Sequence, residues 1–502
     1  MTRSEPIAIG LDLGTSSLKA IAVGVRSGRV LARERRPYPT HRPEPGAAEQ
    51  APQDWMAAVV GVLGRLAAAT DADRWEGIGL SAMLPTLVCL DGAGEAVGNA
   101  IVWEDTRAEP QADALKQRFP AETAHERTGQ LLDGRYLVPM YLRIAQRDPA
   151  AAERIVRLAG AKDYLFAQLT GELLTDPSTA AGSGVYDLGS GAYADGPWPP
   201  LPAIEPSTAM RGLDAGVARL VGARAGLPVS LGGADSVLGA EALGARPGHD
   251  IAIISGTSTV VLGTRESLHI DGGTRSLVTP LARGGYGLEM DLVATGSAFQ
   301  WLTALTGAPS VDALLGEAAG TDLLAAPQVL PYLGPGEQGA LWEPRLHGGA
   351  HGLSLSTTRG DLARGLLTGL VLELRRCIGL LAESGDGRII AAGSSLSSPL
   401  ALQDLADACG REVLADPSGA DHSALGAVDV LLAGLGIEPP TRASELLGFA
   451  PDPGRADAWR ILAARHERAL QRERRRLDEE ASDGCGEDGE GAAGAERLGG
   501  GR

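Results

Sequence analysis

One device occurs twice in this chain, and it limits the fold more than anything else in the sequence. Ile7-Ala8-Ile9-Gly10-Leu11-Asp12-Leu13 runs into Gly14-Thr15-Ser16-Ser17, and 242 residues later Ile251-Ala252-Ile253-Ile254-Ser255 runs into Gly256-Thr257-Ser258. Apolar residues resume after each turn (Ile21, Val23; Val260, Val261, Leu262), so each stretch predicts strand, tight turn, strand. Glycine and small hydroxyl residues let backbone N–H groups come close to an anion and add O–H donors. One such turn in each half of the chain predicts two lobes closing on a polyphosphate from opposite sides. A nucleotide-using enzyme is the function this implies.

Composition narrows the alternatives. A chain of 502 residues is too long for one core and predicts two to three domains. The formal net charge of −18 argues against sequence-independent nucleic-acid binding, although a local cluster of N–H donors still suits an anionic ligand. Four cysteines (Cys89, Cys377, Cys409, Cys485) without CxxC spacing predict structural thiols in a reducing compartment. Met1 to Glu5 lead directly into a strand, and no run of about 20 charge-free apolar residues follows anywhere. The expectation is a cytoplasmic protein with neither secretory leader nor membrane span.

Strand and helix signals alternate along the chain, which predicts α/β layers. Gly77 to Ser81 and Pro228 to Leu231 read as buried strands. Leu362, Leu366, Leu370, Leu374, Ile378 and Leu381 share a helical face that Gly385 should close. The expected division is a first lobe at 1–245, a second at 246–440, a helical extension at 441–480 and a disordered tail at 481–502. The boundary at Ala245-Arg246-Pro247-Gly248 lies just before the second device, and Gly- and Pro-rich 189–206 reads as a surface excursion. Arg474-Arg475-Arg476 followed by Asp478-Glu479-Glu480 reads as a solvated helix face.

Four further stretches carry chemistry. Gly232-Gly233-Ala234-Asp235 follows a strand and opens a helix, so Asp235 is placed at a positive helix end that should keep it ionised and ready to accept a proton. The plain alternative is an N-cap. Arg388 to Ser395 reads as a strand ending in a small-residue turn, with Ser398 and Pro399 starting the next helix. Leu292 to Trp301 offers Gly296 and Gln300 to a base or ribose, and Val102-Trp103-Glu104-Asp105-Thr106-Arg107 offers an aromatic with polar neighbours to a polyol. Ordinary packing explains either of the last two when it is read alone.

Together these residues resemble the FGGY carbohydrate kinases, and within them the xylulokinase branch, over about residues 7–440. Matching stretches include Asp12 to Ser17, Trp103 to Arg107, Lys162-Asp163-Tyr164-Leu165, Thr175-Asp176, Gly232 to Asp235, Ser255 to Ser258 and Leu330-Pro331-Tyr332-Leu333. The resemblance implies an α/β fold of two actin-like, RNase H-like lobes around a central cleft. It implies ATP and magnesium, with a small sugar such as the ketopentose D-xylulose as acceptor. Asp235 matches the general base, and Asp12, with Asp235, the carboxylates that organise magnesium. Gly14, Thr15, Ser16, Ser17 and Lys19 match the first phosphate loop and Gly256 and Thr257 the second. Gly296, Gln300, Gly393 and Ser397 match positions lining the nucleotide. Met83, Leu84, Trp103, Asp105, Asp235 and Ser236 fall at the sugar. The resemblance implies no nucleic-acid or membrane partner, and a homodimer is common among such kinases.

The chain departs from that branch in the sugar pocket. Leu84 stands where a histidine is usual and Ser236 where an asparagine is usual, which removes groups that read sugar hydroxyls. Another pentulose, a sugar acid, a polyol or a deoxy sugar is therefore an alternative acceptor. A catalytically silent sugar- or nucleotide-binding relative and an actin-like ATPase are the competing classes. Retention of Asp12, Asp235 and Thr257 opposes the first, and a small polyol site at Asp235 and Trp103 would oppose the second. Gly334 to Gly339 satisfies GxGxxG but no helix signal follows it, His347 and His351 are separated by glycines that oppose a metal-binding helix, and Cys409 reads as helix packing. No GxxxxGK[ST] occurs.

Overall fold

The computed structural model describes residues 5–118, 121–246, 248–270, 272, 276–334, 339–382, 387–393, 397–416, 419–440 and 446–487. Pro247, Gly385, Ser394, Ser395, most of Gly334–Gly339 and the tail from 488 onward lie outside them.

Both devices form as strand, turn, strand, and each seeds a sheet. In the first, β1 (Ile7–Leu13) pairs antiparallel with β2 (Ser17–Gly24), which pairs with β3 (Val30–Pro37). On the other side of β1 lie β4 (Trp75–Ala82), parallel to it, then β5 (Met210–Gly212) and β6 (Pro228–Ala234), in the order β5-β6-β4-β1-β2-β3. In the second, β7 (Ile251–Ser255) pairs with β8 (Thr259–Arg265), and β9 (Leu277–Pro280) and β10 (Tyr286–Leu292) extend that side. Its far side carries β11 (Ile389–Gly393), β12 (Val413–Ala415) and β13 (Leu447–Phe449), in the order β9-β10-β8-β7-β11-β12-β13. Each sheet thus has its device strand in the centre, antiparallel partners on one side and a parallel partner on the other. The strands β1 and β4 are mostly apolar and nearly or fully buried, as a sheet covered on both faces requires, with Asp12 and Ser81 among the polar exceptions near their ends.

The helices close these faces. In the first lobe α1 (Pro52–Thr70) buries Trp55, Val59, Val62, Leu63 and Leu66 in the same core as β1. Helix α2 (Ala161–Thr170) and the short α3 (Pro177–Ala181) pack near β6, which runs into α4 (Asp235–Ala242). In the second lobe α5 (Gly296–Thr306), α6 (Arg359–Leu381) and α7 (Pro399–Cys409) share one core. The leucine face expected at 362–381 is only part of what α6 buries, because neighbours enclose it on nearly all sides. Ser398 caps α7 and Pro399 opens it, as its sequence predicts.

Chain order and packing part company at α8 (His422–Gly434). Its Ala424, Leu425, Val428, Leu431 and Leu432 pack on Ala8, Ile21, Val23 and Val25 of the first sheet. Contact is backbone to backbone: a Cβ on Gly10 would lie 2.1 Å from the Ala424 carbonyl oxygen, and one on Gly79 2.0 Å from that of Ala427. Only glycine admits the helix so close.

The extension differs from its expected form at both ends. It first adds β13 to the sheet edge, and its helix α9 (Ala456–Glu487) runs through 481–487, residues that composition had placed in the tail. Propagating a formed helix costs far less than starting one, so the long preceding segment carries these residues along. The 189–206 excursion is pinned by a hairpin (Tyr186–Asp187 with Ala192–Tyr193) and by Ala203–Ile204 on Leu174–Thr175. Burial pushes the Cys89 and Cys409 thiols up to about 12, consistent with packing roles. Among the described residues no helix is long and apolar enough to cross a membrane.

Candidate active site

The first turn is held from behind. The Gly14 N–H donates to the Ser17 carbonyl at 3.2 Å, Tyr38 donates to the Gly14 carbonyl, and Gln50 Nε2 donates to the Thr15 carbonyl at 2.7 Å. Trp103 Nε1 donates to Thr15 Oγ1 at 3.0 Å, so the aromatic of the polyol motif and the first turn form one structure. Ser17 is buried on β2 with its Oγ accepting from Arg35 Nε at 2.9 Å, which leaves Thr15 and Ser16 at the tip. Among the described residues the N–H groups of Thr15 and Ser16 are not used within the turn.

The second turn is built the same way from a different helper. Gly256 N–H closes it onto the Ser258 carbonyl at 2.8 Å, and the Thr257 carbonyl accepts from the N–H groups of Thr295 and Ser297 at 3.2 and 3.1 Å. The start of α5, with Gly296, is thereby fastened to the turn. Gly393 ends β11 beside Ser255, at φ +105° and with its Cβ position 1.8 Å from the Ser255 carbonyl oxygen. No other residue fits there. Gln300 and Ser397 stand exposed farther out, Gln300 on α5 and Ser397 just before α7.

Between the turns lies a cavity of about 160 Å³. Thr15 and Trp103 reach it from the first turn and Ser258 from the second, with Asp235 and Ser236 at the start of α4. Met83, Leu84 and Pro85 supply an apolar wall, and Gln130, Arg135 and Tyr136 a polar one. It is well under the roughly 300–1,000 Å³ of drug-sized sites, which suits a small acceptor.

Acidic groups dominate the electrostatics. Asp235 is the first residue of α4, after Ala234 at the cap position, and its Oδ1 accepts from the Ser236 N–H at 2.9 Å. The helix end was expected to keep it ionised. Instead burial, and next the neighbouring charge of Asp12, push its carboxyl up to about 7. Desolvation outweighs the dipole. Asp12 accepts from Ser81 Oγ at 2.9 Å and from Lys19 Nζ at 3.3 Å. Lys19 also donates to Asp421 Oδ1 at 3.0 Å; burial opposes its charge, but Asp12 and Asp421 more than offset that and hold it above the ordinary lysine range. Glu289 and Asp291 of β10 complete the group, and Ser236 Oγ donates to Glu289 Oε1 at 3.2 Å across the lobes. Burial first and Asp291 second push Glu289 up; burial also raises Asp291, against the pull of Arg135.

Asp105, expected at the sugar, is not among the residues lining the cavity. Its carboxylate is taken by Arg107 Nε at 3.1 and 2.9 Å and by the Ala48 N–H at 3.0 Å. An adjacent arginine and a nearby free N–H satisfy a buried carboxylate better than a wet cleft does. Residues that sequence reasoning missed are Asp421, Ser81, Arg135, Tyr136, Glu289 and Asp291. Two had a visible signal, since Glu289 and Asp291 are two apart on one face of an otherwise apolar strand. Asp421 looks like a helix cap in sequence but makes no cap hydrogen bond, pairing with Lys19 instead.

Magnesium fits this donor set. Among the described residues no three His, Cys, Asp or Glu side chains form a metal cage. Magnesium keeps several waters and needs only one or two carboxylates beside substrate phosphates. Asp12 and Asp235, close enough for one charge to raise the other, are the two that would hold it.

Comparison with known proteins places this geometry. The N-terminal domain of the FGGY family of carbohydrate kinases matches residues 7–242, and the C-terminal domain of that family matches 251–435. The chain is 27% identical over 456 residues to a xylulose kinase of Escherichia coli (strain K12), covering 88% of this chain and 93% of that one. It is 25% identical over 482 residues to a gluconokinase of Bacillus licheniformis, covering 90% and 93%. The crystal structure of a xylulose kinase from Rhodospirillum rubrum superposes with a TM-score of 0.81 at 28% identity, covering 93% of this chain and 98% of that one.

Proposed function

The chain belongs to the FGGY family of carbohydrate kinases, phosphotransferases with an alcohol group as acceptor, and from that premise we propose that it moves the γ-phosphoryl group of ATP to a hydroxyl of a small ketopentose of the D-xylulose type. One observation supports this reading above the others. Thr15 of one turn, Ser258 of the other and the carboxylate of Asp235 all meet on a single small cavity between the lobes.

Asp235 is the general base. It takes the proton of the acceptor hydroxyl as that oxygen bonds to the γ-phosphorus in line, and the bond from phosphorus to the ADP oxygen breaks. A carboxyl near 7 matches this task, being half ionised at neutral pH and still basic enough to hold the proton. The free N–H groups of Thr15 and Ser16 and the turn at Gly256 and Thr257 hold phosphate charge from two sides. Lys19 has three donors, of which Asp12 and Asp421 take two, which leaves a third for a phosphate oxygen. Gly296, Gln300, Gly393 and Ser397 line the nucleotide. Magnesium, held by Asp12 and Asp235, would neutralise phosphate charge. Trp103, Met83, Leu84 and Ser236 shape the acceptor side.

A cytoplasmic location belongs to the same proposal, supported by the buried, free thiol of Cys89. So does a homodimer, on family resemblance alone, which sedimentation velocity would test. The deciding experiment is ADP release with ATP and magnesium across ketopentoses, hexuloses, polyols and sugar acids. Turnover on a ketopentose that disappears in Asp235→Ala supports the reading. Turnover that survives in that variant overturns the role of Asp235, and ATP binding with no turnover on any acceptor overturns the transfer.

A further inference from the structure

The acceptor pocket is acidic on the side supplied by the nucleotide lobe. Glu289 and Asp291 enter it from β10, opposite Asp235 and Ser236 of the first lobe. Glu289 is 7% exposed and already accepts from Ser236 Oγ at 3.2 Å. Asp291 Oδ1 is a different case: it is shut away from solvent and has no hydrogen-bond partner. A buried carboxylate oxygen left unpaired is costly unless something that binds there donates to it.

Cations do not balance this set. Among the described residues lining the cavity, Arg135 is the one cation, and both oxygens of Asp133 accept from its Nε at 3.0 and 2.9 Å. The other polar lining groups, Gln130, Tyr136 and Thr279, are neutral. Tyr136 is already committed through its hydroxyl to Gln130 Oε1 at 2.9 Å. An acceptor that brought its own carboxylate would meet Glu289, Asp291 and Asp235 with Arg135, already shared with Asp133, as the one positive group in the lining. Like charges so placed cost several kcal/mol in a shielded site. Sugar hydroxyls, by contrast, are neutral donors suited to the carboxyl groups of Glu289 and Asp291 that line the cavity.

We infer that Glu289 and Asp291 are specificity-determining residues that accept hydrogen bonds from acceptor hydroxyls and turn away sugar acids, so that the acceptor is an uncharged polyhydroxy sugar. The inference rests on the kinase reading and deepens it. It also assigns half of acceptor recognition to the lobe that holds the nucleotide, so acceptor contacts at β10 are complete only with the lobes together.

A pair of five-carbon acceptors tests this: D-xylulose, with a hydroxymethyl group and a ketone at C1 and C2, and D-xylonate, with a carboxylate and a hydroxyl there. Binding by calorimetry is measured beside kcat/KM with ATP and magnesium, for the wild type, Glu289→Gln and Asp291→Asn. The wild type should favour the ketose by about 100-fold or more, and each amide variant should narrow that ratio by about 10-fold, chiefly through KM. The two variants are near-isosteric and lie at different positions, so misfolding of one leaves the other informative. Equal use of the aldonate by the wild type, or a ratio that neither variant moves, overturns the inference while leaving the kinase standing. Preferential binding of the ketose without turnover supports the pocket assignment and overturns the phosphoryl transfer instead.

Discussion

Two clusters of buried carboxylates lie a few residues apart in this molecule and are treated in opposite ways. Around Lys162 every acid is answered. Lys162 Nζ lies 3.3 Å from Asp163 and 3.1 Å from Asp176, Asp163 accepts from the Gly160 N–H at 2.8 Å, and Asp176 takes further hydrogen bonds from Ser178, Thr179 and Ser207. Around the cavity, Asp12, Asp235, Glu289 and Asp291 share Lys19 and Arg135, and each of those cations is partly claimed elsewhere. The first cluster is a mount and the second lines the candidate site. They are joined, because Ser178 Oγ, fixed by Asp176, accepts from the N–H of Ala234, the residue before Asp235, at 2.9 Å. Under-paired acids are affordable at the cleft because fully paired ones hold the backbone that carries them.

The sharpest way to break this contrast is a pair of substitutions. Asp235→Ala should leave the fold intact and lower kcat by about 10²–10⁴; circular dichroism and steady-state kinetics would check both halves. Asp176→Ala should instead lower stability, by roughly 3–5 kcal/mol in a denaturant titration, because Ser178, Thr179 and Ser207 lose their shared acceptor and buried Lys162 keeps Asp163 alone. Comparable stability losses from both would erase the distinction.

A finer test uses pH. The Asp235 carboxyl is raised from its ordinary 3.8 to about 7, so the folded state holds that proton more tightly than the unfolded chain. The resulting penalty is absent below pH 3.8, grows between there and about 7, and is fully present above. Asp235→Asn should therefore stabilise the ligand-free protein at pH 8, by roughly 1–4 kcal/mol, and have little effect at pH 4. A melting temperature that the substitution lowers equally at both values would refute the assignment. Because a base must be unprotonated, kcat/KM of the wild type should fall as pH drops through about 7, and an acid limb below 5 would point to a different base.

The smallest effect belongs to the charges outside both clusters. Arg476 pairs with Glu473 and Glu480 on the exposed face of α9. Arg476→Ala should leave the denaturant midpoint at moderate salt indistinguishable from that of the wild type. A measurable loss would mean that this face packs against something.

Much of the site was legible because its parts are local. A Gly-Thr-Ser turn after an apolar strand, or an aspartate opening a helix after Gly-Gly, is written in consecutive residues, so both turns and Asp235 could be placed by pattern. Asp105 misled because its partner, Arg107, is also local and was read as part of a polyol motif. Asp421 was hidden because its meaning depends on Lys19, 402 residues away. Glu289 and Asp291 sat in plain view as acids on an apolar strand, but their facing residues, Ser236 and Arg135, come from other parts of the chain.

By itself, then, the sequence determined the repeated strand–turn–strand device, the two α/β lobes that follow from it, and the residues each turn and helix end would present. Those depend on backbone propensity and short-range periodicity. Only the tertiary structure decided that α8 crosses back onto the first sheet, that burial and Asp12 raise the Asp235 carboxyl, and that β10 brings two more carboxylates to the cavity. Burial and charge neighbourhood are sums over segments distant in the chain, and no local pattern carries them.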